Sequence, residues 1–242
     1  MPGGMGMNSE PLSFAPEALL RLQSWLSPAF PTGSYSYSHG LEQAVELGYV
    51  HNLVSLLEWL DADLRYGSVR NEAIFFNAAW SSARSCERKK LLEVAELAAA
   101  YRGTAEFALE SAQQAAASLR VLQRVWPDSL LEWLSEALSE RDTPPALAVV
   151  IGARSARQGI PIRFALPAFF QSYVMNLVTA AIRLIPLGQT AGQQAIAELE
   201  PTVLTASAQA QACTLEDLGS AAFVVDLVSM AHETQYTRLF RS

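Results

Sequence analysis

Apolar residues recur every three to four positions along nearly the whole chain, and no long stretch alternates as a half-buried strand would. This pattern predicts an all-α fold, a single-domain bundle of roughly ten helices. Leu19, Leu20, Leu22, Trp25 and Leu26 mark a first amphipathic helix that Ser27-Pro28 ends, because a proline ring cannot continue it. After a loop over 28–34, a second helix is expected over 35–47 with Gly48 as its C-terminal cap. Asn52 then reads as the N-cap of a helix through Leu56, Leu57, Trp59, Leu60 and Leu64 that stops at Gly67. The following helices are expected over 69–85, 87–101, 104–125 and 129–140, with Gly103-Thr104 as a stop followed by a start.

Thr143-Pro144 has the cap-then-proline order that opens another helix. Gly159-Ile160-Pro161 breaks the chain before a long helix that Pro186-Leu187-Gly188 ends. Thr190 and Gln193 then have capping-box spacing, Pro201 is expected to kink or divide that segment, and a last helix starts near Thr214. With no linker and no internal repeat, the reading is a disordered extension over 1–15, one helical domain over 16–231 and a docking tail over 232–242.

The long helix raises the question of a membrane. Phe164 to Ile182 is uncharged, lies between Arg163 and Arg183, and approaches the length that a bilayer asks for. Yet Ser172, Asn176, Thr179 and Arg183 fall at i, i+4, i+7 and i+11, a polar stripe down one face opposite Phe170, Val174, Leu177, Val178 and Ala181. A helix inside a bundle, or one lining a polar groove, fits that stripe better than lipid. Composition sharpens this: 50% of residues are hydrophobic and 17% charged, which suits either an alanine-rich bundle with a large core or a protein whose apolar surface partners cover. The net charge of −7 and the lack of a basic run argue against nucleic acid. Cys86 and Cys213 lie far apart and outside any C-x-x-C pair, so neither a zinc cage nor a disulfide framework is signalled, as suits a reducing cytoplasm. Met1 to Glu10 lacks the basic region and apolar run of a secretory signal.

Catalytic signatures are sparse. Gly188-Gln-Thr-Ala-Gly192 lacks the lysine of a phosphate-binding loop, and no G-x-S-x-G elbow occurs. Ser36, Ser38 and His39 sit close in sequence, but no orienting carboxylate can be identified to complete a triad. His39 and Glu42 stand three apart, a spacing that on a helix lets imidazole and carboxylate share a metal. A helical metal-dependent enzyme centred on that pair is therefore the alternative to a docking protein. Against it, His51 and His232 are the only other histidines, and a di-iron bundle needs two E-x-x-H units. Two segments depart from plain core logic. Pro28 to Glu42 sets Tyr35 and Tyr37 after a proline-shaped loop, as interface anchors or as core aromatics. The terminal segment alternates Tyr236, Leu239 and Phe240 with Arg238 and Arg241, as an anchor that orders on binding or as a tail folded onto its own domain.

Three blocks, Pro31-Thr-Gly-Ser-Tyr-Ser-Tyr-Ser-His-Gly-Leu-Glu42, Arg183-Leu-Ile-Pro-Leu-Gly-Gln-Thr-Ala-Gly-Gln193 and His232-Glu-Thr-Gln-Tyr-Thr-Arg-Leu-Phe-Arg-Ser242, together resemble the urease accessory protein F family, in that family's order. Residues 1–15 lie outside the resemblance. It implies an all-helical, non-catalytic protein without a cofactor, bridging the accessory GTPase (protein G) and the accessory scaffold D or H. Nickel would thereby reach the urease apoprotein, and the chain would form a homodimer. The resemblance further implies that His232, Tyr236, Arg238, Phe240 and Arg241 dock the scaffold. Tyr35, Ser36, His39 and Glu42, with Gly188, Gln189 and Gln193, would face the GTPase or a dimer mate. Ser172, Asn176, Thr179 and Arg183 would line a path for hydrated nickel, because Asn and Thr offer oxygen ligands too weak to trap it, or else form hydrogen bonds between helices. Arg163 or Arg183 would be the arginine supplied to the GTPase, if one is supplied.

Overall fold

In the computed structural model, which describes residues 14–241, these residues fold into eleven α-helices, three of which begin where a side chain satisfies loose backbone N–H groups. They are α1 (Pro16–Trp25), α2 (Leu41–Glu46), α3 (Leu53–Tyr66), α4 (Ser68–Arg84), α5 (Arg88–Ala100), α6 (Ala105–Val125), α7 (Ser129–Glu140), α8 (Leu147–Arg157), α9 (Ile162–Leu184), α10 (Gln189–Ala212) and α11 (Phe223–His232). Asn52 caps α3 in a reciprocal box with Ser55, Thr104 caps α6 through the Phe107 amide, and Asp128 caps α7 through the amides of Leu130 and Leu131. The expected all-α class holds, and among the described residues there is no strand. Of the expected N-terminal extension, residues 1–13 lie outside the described residues, while Phe14 packs on Phe164 with ring centroids 5.6 Å apart.

Five local expectations change. The helix expected over 35–47 begins only at Leu41, because Ser34–Ser36 forms a 3-10 turn and His39 and Gly40 take φ of 54° and 77°. Gly40 is required there twice over: its φ is left-handed, and a Cβ would lie 3.3 Å from the Ser229 backbone. Thr143-Pro144 does not open α8, whose N-cap is Ala146, because Pro145 pushes Pro144 out of helical geometry. Thr190 does not cap α10; Gly188 precedes its first residue, and the Gly192 amide donates to the Gly188 carbonyl at 3.0 Å. Pro201 does not divide α10, since the buried run of Leu199, Thr202, Val203, Ala206 and Ala210 holds one face across the missing N–H. Thr214 does start a capping box with Asp217, but on a 3-10 turn that precedes α11.

The core is built around α4, which packs most closely on α8 and also touches α3, α5, α9 and α10. Phe75, Phe76, Ala79 and Ala83 of α4 are fully buried, as are Ala148, Val150 and Ala153 of α8. Although α9 is long and apolar enough to cross a membrane, it packs on α10, α4, α2, α8 and α3. Gly152 permits the α4–α8 approach, because a Cβ there would stand 2.5 Å from the Phe76 carbonyl oxygen. Gly152→Ala is therefore expected to cost about 1–3 kcal/mol through overpacking. Thermal unfolding followed by circular dichroism should register a loss of about 2–4 °C per kcal/mol. An unchanged midpoint would contradict the close contact.

Candidate functional site

The C-terminal residues fold back onto their own domain, and buried carboxylates hold them there. Glu42, in the first turn of α2, accepts the amide of Leu239 at 2.6 Å and that of Phe240 at 2.9 Å. The same carboxylate faces His232 Nε2 at 3.3 Å. His232 ends α11 with no exposed surface, and its Nδ1 lies 2.8 Å from the Glu106 carboxylate on α6. Glu106 also takes Arg238 Nη1 at 3.1 Å, while Arg238 closes its own turn by donating to the carbonyls of Gln235 and Glu233. Phe240 is buried beneath the Arg183 guanidinium, 4.4 Å from its ring centroid, and Arg183 donates to the Tyr35 carbonyl at 3.2 Å. Finally the Arg241 amide donates to the Ser36 carbonyl at 2.8 Å.

This geometry sorts the residues marked in the sequence. Glu42, His232 and Phe240 are buried and hold the tail in place. Tyr35 (66% exposed), Tyr236 (fully exposed), Leu239 and Arg241 point outward on the base they form. Ser36, partly buried, donates its hydroxyl to the Gly33 carbonyl at 2.7 Å. Gly188, Gln189 and Gln193 are exposed at the start of α10. The outer face of α11 adds exposed Phe223, Val224, Leu227 and Met230.

His39 turns the other way, into a cavity of about 380 Å³ between α4, α6 and α9. It stacks on Phe107 with centroids 3.9 Å apart and meets Tyr173 edge-on at 5.2 Å. Its Nε2 lies 2.8 Å from the Ser68 hydroxyl and its Nδ1 3.4 Å from Glu110. Burial disfavours the charged ring, but the Glu110 hydrogen bond and the charges of Glu110, Asp63 and Glu72 outweigh it, so the His39 pKa is raised. Burial likewise raises the Asp63 carboxyl, which accepts the Tyr173 hydroxyl at 2.5 Å, and burial with the Asp63 charge pushes the Tyr173 phenol well up. Glu72 pairs with Arg102.

Because α2 starts only after Gly40, His39 and Glu42 do not stack on one helical face, and they have different partners. Among the described residues no group of three or more His, Cys, Asp or Glu side chains is placed to hold a metal ion. The polar stripe of α9 also divides. Ser172 and Asn176 line the cavity, Ser172 donating to the Phe169 carbonyl and Asn176 to that of Tyr37. Thr179 is exposed and donates to the Met175 carbonyl, and Arg183 belongs with the tail.

Glu106, Glu110 and Asp63 are not among the residues that the sequence pattern marks. The available signal was Glu106, Glu110 and Gln114 at four-residue spacing beside Phe107, polar groups on the face that an alanine-rich helix turns inward.

The UreF family profile matches residues 50–200. Three curated relatives are named "Urease accessory protein UreF". The one from Rhodopseudomonas palustris strain BisB5 is 43% identical over 236 residues, covering 97% of this chain and 96% of that protein. The one from Granulibacter bethesdensis is 45% identical over 225 residues, covering 93% and 94%. The one from Mesorhizobium japonicum is 44% identical over 236 residues, covering 98% and 100%.

Removing the Glu42 carboxylate should free the tail without unfolding the bundle. Glu42→Ala leaves the Phe240 amide and His232 short of an acceptor, at about 1–3 kcal/mol for a buried group left unpaired. Hydrogen exchange at Leu239 and Phe240 is expected to quicken about tenfold or more while α4 and α8 stay protected. Equal exchange in both proteins would show that another contact holds the tail.

Proposed function

Since the chain belongs to the UreF family, whose curated relatives are urease accessory proteins, we propose that it serves urease maturation as a non-catalytic docking protein. In this reading it bridges the accessory GTPase and the accessory scaffold D or H in the cytoplasm, works as a homodimer, and so couples GTP hydrolysis to delivery of nickel to the urease apoprotein. The observation that carries the reading is the pinned tail. Tyr236, Leu239 and Arg241 stand exposed on a base fixed by Glu42, His232 and Glu106, with Tyr35 beside them. Exposed aromatics and an arginine on an ordered backbone are what a tight interface requires, because little freedom remains to be lost on binding.

The tail is assigned to the scaffold, and Tyr35 and Ser36, with Gly188, Gln189 and Gln193, to the GTPase or a dimer mate. Glu42, His232, Arg238 and Phe240 serve the same contact indirectly by shaping the tail, and His39 by fixing the segment that carries Tyr35. Nickel, as cargo, would pass the cavity beside Ser172 and Asn176, where hydroxyl and amide oxygens are too weak to trap it and Glu110 and Asp226 favour a cation. Thr179 and Arg183 extend that path toward the surface.

The test is co-purification of tagged chain with the GTPase and the scaffold, comparing full length, Arg241→Ala and a chain ending at His232. Truncating a charged hot-spot side chain costs about 2–4 kcal/mol at an interface, so the complex should be lost from both variants. Helical circular dichroism should stay unchanged, because His232 and its carboxylates remain. Undiminished binding by the shortened chain would end the tail assignment.

A further inference from the structure

The segment from Ser34 to Glu42 presents different chemistry on its two sides. Toward the cavity it sends His39, bonded to Ser68 of α4 and Glu110 of α6. Toward the tail it offers the Ser36 carbonyl to the Arg241 amide and the Glu42 carboxylate to the amides of Leu239 and Phe240. Between these contacts the backbone is left-handed at His39 (φ 54°) and Gly40 (φ 77°). A side-chain-bearing residue resists that conformation, so the segment keeps its shape only while its neighbours hold it.

We propose that Ser34–Glu42 is a proton-sensitive latch: protonated His39 pins the segment to α4 and α6, and the segment in turn pins the C-terminal tail. The charged ring donates from both nitrogens, to Glu110 and to the Ser68 hydroxyl, whereas a neutral ring keeps the Ser68 contact by accepting at Nε2 but loses the charge that draws it to Glu110. Stacking on Phe107 adds attraction for the cation. The titratable and charged groups around His39 come from every side. Glu110 faces it from α6, Glu72 from α4, Asp63 from α3 and Tyr173 from α9. Arg102, paired with Glu72, and Asp226 of α11 line the same cavity. Glu110, Asp63 and Glu72 together overcome the burial that favours the neutral ring and hold the His39 pKa above its ordinary 6.5. The sign follows from that direction: the latch is complete below pH 6.5 and is lost as pH rises through the higher folded value.

Loss of the proton removes the Glu110 attraction, and the strained turn at His39-Gly40 relaxes. Ser36 and Glu42, three residues to either side, then hold the tail less firmly. The latch concerns the isolated chain, so its test is independent of any partner.

The experiment is hydrogen–deuterium exchange of the full chain from about pH 6 to about pH 9, corrected for intrinsic rates, a range that brackets histidine titration. Amides within 34–42 and those of Leu239, Phe240 and Arg241 are expected to exchange at least about tenfold faster at the upper end. His39→Gln, which hydrogen-bonds without titrating, should show no such change. A flat wild-type profile, or the same acceleration in His39→Gln, overturns the latch. Should that variant fail to fold, Glu110→Gln carries the test through the histidine ring resonances. The His39 midpoint should fall there, and an unchanged midpoint overturns the latch equally.

Discussion

The fold of the C-terminal end depends on one arrangement of buried polar groups, His232 between the carboxylates of Glu42 and Glu106. Three elements far apart in sequence meet there: α2, α6 and the end of α11. Burying two carboxylates and an imidazole is expensive unless each is paired, and unpairing any one leaves the others uncompensated. Glu42 satisfies its remaining capacity with two tail amides, and Glu106 with Arg238. The same atoms that pair with one another therefore also fix the path of the C-terminal segment. A bundle held by apolar contacts alone would leave those residues many alternatives, because dispersion has no direction.

A second polar network lies across the same short segment. His39 and its neighbours Ser68, Glu110, Asp63 and Tyr173 face the cavity, while Glu42 faces the tail. A regular helix over 35–47 would have set His39 and Glu42 on one face. The 3-10 turn and the left-handed pair His39-Gly40 rotate them apart, and the buried Tyr37, bonded to Gln113 at 2.5 Å, anchors the extended backbone between. Irregular backbone is thus what lets one segment serve two networks, and Gly40 supplies the close approach to Ser229 that closes it on α11.

Local contacts made some parts of the molecule legible in the sequence, and long-range contacts hid others. Helices from Asn52 to Glu140 were, because Asn52, Thr104 and Asp128 cap by contacts within a few residues. The features that were not legible are settled at long range. Leu41 starts α2 because Ser229 and Phe107 shape the chain before it, and Pro201 stays inside α10 because a buried face outweighs one missing hydrogen bond. Tyr35 and the C-terminal segment stood out by composition, but nothing local separated Phe240, which is buried, from Tyr236, which is not. Glu106 and Glu110 looked like ordinary helix carboxylates, since their partners lie 126 and 71 residues away.

The way the tail is held also bears on how it can recognise anything. Glu42 and Ser36 grip backbone amides of Leu239, Phe240 and Arg241, so within 238–241 it is Arg238 and Phe240 that give their side chains to the fold. Tyr236, Leu239 and Arg241 remain outside, on a backbone that is already ordered. An interface built on them therefore has little backbone entropy to lose, in contrast to a tail that folds on contact. Any docking through these side chains would therefore rest on different atoms from those that place the tail. Replacing an outward side chain changes what the tail meets, whereas replacing Glu42 changes whether the tail is there to meet it.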